Sequence, residues 1–251
     1  MATERLQTID TKAGVIPYTL SRSSRRKTIG ITVSDRLQVR VSAPRAVLLK
    51  DIHNFIFEKA DWIVNALNDM RRQQAALPPK AFQPGTTFFF LGREYPLCVQ
   101  SEDRKRPGIF FDGCQWRVRL SSALPGPVQA EVIKQQLVKW YRREAEEILG
   151  SRLFHLSRLT GLTPRKIAVR AHRRIWGNCH YRTQTIHLNW QLVFFPLAVI
   201  DYVLVHELSH LEVPNHSPKF WKRVERILPD YRQHRQWLKA NAPRMAFPSL
   251  I

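Results

Sequence analysis

The sequence predicts an α+β fold, β-rich over residues 1–125 and mainly helical over 126–251. Three observations carry this. Runs that alternate apolar and polar residues crowd the first half, which reads as a small unit rich in hairpins with one helix. Apolar residues at 3.6-residue spacing dominate the second half. Two proline-marked breaks, "LPPKAFQPG" and "SSALPGPVQ", punctuate the chain, and the second sets the boundary near 125.

The elements follow in order. Within residues 15–45, "TIGITVS" and "LQVRVSAP" read as strands joined at Ser34, Asp35 and Arg36. One helix is predicted from about Leu48 to Ala76, with Ile52, Phe55, Ile56, Ala60, Ile63 and Leu67 as its stripe. "TTFFFLGREYPLCVQ" and "IFFDGCQWRVRLS" supply further strands around the polar "SEDRKRPG". A long helix is expected from Val128 to about Thr160, and "KIAVRA" and "TIHLNW" are strands on either side of a loop, "RRIWGNCHYRTQ". The apolar segment 195–213 reads as a helix, and two more close the chain near 218–228 and 230–241.

Bulk composition narrows the classes. The chain has 251 residues, 44% hydrophobic and 24% charged, in the ordinary range for a globular protein. The longest apolar run, "FFPLAVIDYVLV", is broken by Pro196 and Asp201 and is too short to span a bilayer. "MATERLQTID" lacks the apolar core of a secretory signal. Cys98, Cys114 and Cys179 show no CxxC spacing, so a reducing cytoplasm is the expected home. Forty Lys and Arg against twenty Asp and Glu leave a formal charge of +20, which makes nucleic acid or nucleotides conceivable partners. Nothing in the sequence sets the oligomeric state.

The chemistry concentrates in "VLVHELSHLEVPNHSPKFW", residues 203–221. His206 and His210 are four apart, so on a helix both imidazoles lie on one face, roughly 6 Å apart, able to reach one ion. Glu207 stands on the adjoining flank. In this HExxH arrangement the metal acidifies water and the glutamate takes the proton. Pro214 should end the helix near Val213. Ser217 and Pro218 read as the cap and first residue of the next helix, leaving His216 in a turn where it can fold back. His216 is the preferred third ligand, with Glu225 as the alternative. Asp201 could hydrogen-bond a ligand from behind or cap the helix.

"WGNCHYRTQTIHLNWQLVFFPLAVIDYVLVHELSHLEVPNHSPKFWKRVERILPDYRQHRQWLK" resembles the YgjP-like zinc metallopeptidases, relatives of the SprT-like proteases. "FQPGTTFFFLGREYPL" and "SRSSRRKTIGITV…LQVRVSAP" extend the resemblance over most of the chain. It implies a compact zincin-like catalytic domain behind an N-terminal β-rich region. It also implies one Zn2+ per chain on His206, His210 and His216, with Glu207 as base and a peptide or protein as substrate. Family members commonly read W-G-S-C, whereas this chain has Asn178, which puts a role for that hydroxyl in doubt. Trp176, Asn178, Cys179, His187 and Asn189 are the candidate cleft residues, and "TIHLNW" the candidate edge strand for an extended substrate. Two other readings stand beside the peptidase: a metal-dependent nucleotide pyrophosphohydrolase, and a DNA-associated protease or nucleic-acid-binding protein.

Overall fold

The computed structural model describes residues 5–34, 37–75, 81–103, 106–172, 175–245 and 247. The fold is α+β, and the chain divides into two compact units, Met1–Pro78 and Pro79–Ile251. Among the described residues, no helix is long and apolar enough to cross a membrane.

The first unit is a four-stranded sheet with two helices. Strands β1 (Arg5–Thr11) and β2 (Gly14–Ser23) form an antiparallel hairpin; β4 (Val39–Pro44) runs parallel to β2, and β3 (Gly30–Val33) antiparallel to β4. The hairpin partner β1 is not foreseen by the sequence reading. The predicted β3–β4 turn is closed by Ser34 N–H donating to Gln38 O at 2.8 Å; Asp35 and Arg36 lie outside the described residues. The single helix expected over 48–76 is two, α1 (Leu49–Glu58) and α2 (Ala60–Ala75), because Lys59 leaves helical geometry at φ −97° and ψ 7°. The apolar stripe survives the break: Ile52, Ile56, Ala60 and Ile63 are fully buried against Tyr18, Val39 and Val41.

The second unit carries two sheets and the remaining helices. Strands β5 (Thr87–Phe90), β6 (Arg93–Glu102), β7 (Gly108–Phe111) and β8 (Trp116–Ser121) lie in the order β5-β6-β8-β7. The long helix α3 (Gly126–Thr160) ends at Gly161, whose φ of +70° is the left-handed closure glycine supplies cheaply. Strands β9 (Lys166–Arg170), β10 (Gly177–His180) and β11 (Thr185–Asn189) form a sheet in the order β10-β11-β9. A 3-10 turn (Trp190–Phe194), α4 (Leu197–Ser209), α5 (Pro218–Ile227) and α6 (Tyr231–Met245) complete the unit.

The expected boundary at 125/126 falls inside this second unit, because β5–β8 and α3 share one core. Trp116 meets Trp140 edge-on at 5.6 Å, and the Tyr141 hydroxyl donates to Phe89 O at 2.8 Å. The β5–β6 turn also anchors the approach to α4. Leu91 and Gly92 donate their N–H groups to Val193 O (2.7 Å) and Phe194 O (3.0 Å). Only glycine fits at 92, where φ is +85° and a Cβ would fall 2.7 Å from Pro196 Cγ.

Two strand expectations need correction. The 175–184 region, read as loop, contains β10, paired antiparallel with β11 from Gly177↔Leu188 to His180↔Thr185. And β11 is the central strand of its sheet, so "TIHLNW" offers no free edge; β10 and β9 are the edges.

Candidate metal centre

Helix α4 begins directly after Pro196 and is apolar almost all round, so Val199, Ile200, Val203, Leu204 and Leu208 are buried in the core. It ends at Ser209, four residues before Val213, with His210 at the C-cap. The chain tightens there before Pro214 can act: Leu211 and Val213 donate their N–H groups to Leu208 O and Ser209 O at 3.0 Å each. The turn fixes a ligand. His210 Nδ1 donates to Val213 O at 2.9 Å, since a carbonyl can only accept, which leaves the Nε2 lone pair facing inward.

His216 follows in the corner between α4 and α5, where Asn215 Oδ1 accepts from Ser217 N–H at 3.3 Å. Ser217 stands at the N-cap of α5 without a capping hydrogen bond from its side chain. Instead, Arg223 grips Glu212 with two contacts, 2.6 and 2.9 Å, and ties α5 to the end of α4. The three rings converge: His216 Nε2 lies 3.0 Å from His206 Nε2 and 3.2 Å from His210 Nε2. Phe220, fully buried, touches all three, stacked on His210 with centroids 4.4 Å apart and meeting His206 and His216 at 4.9 and 5.0 Å.

This cluster could hold a metal ion, and it is the one such group of His, Cys, Asp or Glu among the described residues. The fit is quantitative. Donors about 2.0–2.1 Å from a tetrahedral zinc ion stand about 3.3 Å apart, close to the observed separations. The electrostatics agree: burial first, then His210, His216 and Arg235, push the His206 imidazole down to about 3, and burial also lowers His210. Both rings are therefore neutral at physiological pH and can serve as metal ligands. Glu225, the alternative ligand, pairs with Arg232 at 3.1 Å.

Glu207 is buried, and burial pushes its carboxyl up to about 8. It lies against Gly177 of β10, where a Cβ would come within 2.8 Å of both its Cγ and Oε1. The sequence reading missed Gly177 and Phe220; the only available signals were the glycine in "WGNC" and an aromatic two residues into α5. Asp201 is accounted for by Arg152, whose guanidinium grips both carboxylate oxygens, and so does not support a histidine.

The candidate cleft residues are placed differently from one another. Cys179 shares the Gly177 face of β10; burial, then the Glu207 charge, push its thiol up to about 12, so it stays protonated. Asn178 alternates to the opposite face, paired across the strands with His187, whose ring is 5.4 Å from His180 and 6.3 Å from His172. Trp176 packs edge-on against Phe195 at 4.7 Å. Asn189 is a buried clasp: its Nδ2 donates to His172 O and Ile175 O, and its Oδ1 accepts from Gln191 N–H.

An α+β core in which a helix and the turn beyond it bring three histidines together, next to a buried carboxylate, suits a metal-dependent hydrolase. Residues 27–241 match the family described as YgjP-like, metallopeptidase domain. The chain belongs to the YgjP-like metallopeptidases. Two solved structures are similar over part of it: the metallopeptidase zymogen abylysin of Pyrococcus abyssi and the metallopeptidase zymogen jannalysin of Methanocaldococcus jannaschii. The first is 21% identical, covering 39% of this chain and 99% of its own, at a TM-score of 0.34. The second is 16% identical, covering 38% and 96%, also at 0.34. No curated protein matches the chain significantly.

Proposed function

We propose that this metallopeptidase is a zinc enzyme in which His206, His210 and His216 hold one ion and Glu207 moves the proton of peptide hydrolysis. The observation that carries the reading is the convergence of three Nε2 atoms beside a buried carboxylate. Zinc, when bound, supplies a Lewis acid that polarises a scissile carbonyl and acidifies water. With the nearby cation favouring its ionised form, Glu207 would accept the proton from the attacking water and return it to the departing amine. Its burial keeps bulk water from competing for that proton, and Gly177 leaves it room beside the strand. The neutral His210, with Nδ1–H held by Val213 O, presents a fixed lone pair.

Strand β10 is the better-supported partner for an extended substrate, because it is an edge of its sheet and its Gly177 lies against Glu207. Neither the pyrophosphohydrolase nor the nucleic-acid reading has an observation of its own in the structure.

The test combines metal analysis with turnover of a peptide library. Glu207→Gln is expected to keep one zinc per chain and lose turnover by at least about a thousandfold, whereas His210→Ala loses the metal. Full activity in Glu207→Gln would remove the proposed base.

A further inference from the structure

Beside the three histidines lies a cationic shelf that the proton chemistry does not use. Trp221 of α5 stacks with His216 at 5.7 Å, lies 5.8 Å from His206, and stacks on Tyr231 at 5.4 Å. The Arg235 guanidinium is held over the Trp221 ring with its Cζ 4.6 Å from the centroid. Arg235 is thus at most about 10 Å from the His216 ring.

Tyr231, Arg235 and Lys239 follow one another at four-residue spacing along α6, and with Arg232 and Gln236 they line an open cavity of about 290 Å³. Arg232 is occupied, paired with Glu225 and lying 5.3 Å over the Tyr231 ring. Arg235 and Lys239 have no carboxylate in ion-pair range among the described residues. A solvated basic face would let these side chains roam. Here the aromatic stack pins one guanidinium beside the histidines, with its donors free for a partner.

We infer that Arg235, supported by Lys239, forms a subsite for a carboxylate of the peptide substrate, so that the enzyme prefers an acidic residue close to the scissile bond. A guanidinium presents paired donors that match a carboxylate. An extended peptide advances about 3.3 Å per residue, which places the preferred acid within about three residues of the bond cleaved.

This inference rests on the peptidase reading, and its test keeps the two apart. Fluorescent octapeptides alike except for one Glu or Gln, walked through successive positions, are bound at equilibrium to zinc-loaded Glu207→Gln protein, and the same peptides are offered to the wild type for cleavage. In one register Glu is expected to bind about tenfold more tightly than Gln. Arg235→Met brings that ratio to about one, Arg235→Lys retains most of it, Lys239→Met reduces it, and Arg235→Glu turns the preference toward a Lys peptide. Equal binding of Glu and Gln in every register, or a preference that survives Arg235→Met in a folded, zinc-loaded protein, overturns the subsite. Preference in binding without cleavage by the wild type supports the subsite while counting against the peptidase reading.

Discussion

His206 and Glu207 are neighbours in the chain, and burial displaces them in opposite directions. The carboxyl rises from 4.5 to about 8, and the imidazole falls from 6.5 to about 3. Without a cation both side chains are therefore neutral in the folded state, and they couple to stability with opposite signs. The raised carboxyl contributes stability that is complete below about 4.5 and is lost as pH rises through about 8. The depressed imidazole acts the other way, costing stability as pH falls from about 6.5 to about 3. Each pH unit inside a window changes stability by on the order of 1 kcal/mol per group. Between about 4.5 and 6.5 the two oppose each other, with the lowered His210 and His187 adding to the imidazole side; from there up to about 8 the glutamate dominates. Metal-free protein is thus expected to melt at a lower temperature at pH 8.5 than at pH 7, and Glu207→Gln to flatten that decline. Melting curves of metal-stripped wild type and variant decide the matter. An equal Tm at both pH values in the wild type would mean that burial does not hold the carboxyl neutral.

At the scale of elements, β10 decides how closely α4 can be approached. Gly177 supplies space rather than an unusual backbone angle, since a methyl group there would meet Glu207 Cγ at 2.8 Å. Gly177→Ala is expected to push the carboxylate off its position, lowering kcat about a hundredfold while zinc content stays near one per chain. Unchanged turnover in that variant would show that Glu207 has slack. The strand itself was not legible in the sequence: "GNCH" has poor strand propensity and becomes a strand only by pairing with β11. The long helices, the β3–β4 and β5–β8 hairpins and the histidine pattern were legible, because local periodicity and spacing encode them. The break at Lys59 has no proline or glycine to announce it. The early end of α4 follows from the turn hydrogen bonds around His210, and the fate of Asp201 depends on Arg152, 49 residues away. What failed was set by partners distant in sequence or by turn geometry without a residue signature. What succeeded was local.

At the scale of the whole chain, the +20 charge and the two cores bear on different questions. Forty basic against twenty acidic residues create a field that draws anions in from beyond contact range and fades with salt over about 10 Å. That field favours acidic substrates in general, and Arg235 supplies the local selection. The cores concern where function resides. His206, Glu207, His210, His216, Phe220, Gly177 and Arg235 all belong to Pro79–Ile251, whose buried residues form one cluster from Phe88 to Phe247. Met1–Pro78 buries its own set, from Ile16 to Leu67. A segment of about 170 residues with a continuous core is large enough to fold unaided. Residues 79–251 alone are therefore expected to unfold in one cooperative transition, bind one zinc per chain and keep the preference for Glu over Gln peptides. Calorimetry, metal analysis and the peptide-binding ratio on that fragment test the expectation together. A fragment that takes up no zinc, or melts without cooperativity, would make the first unit necessary to the metal centre despite its separate core.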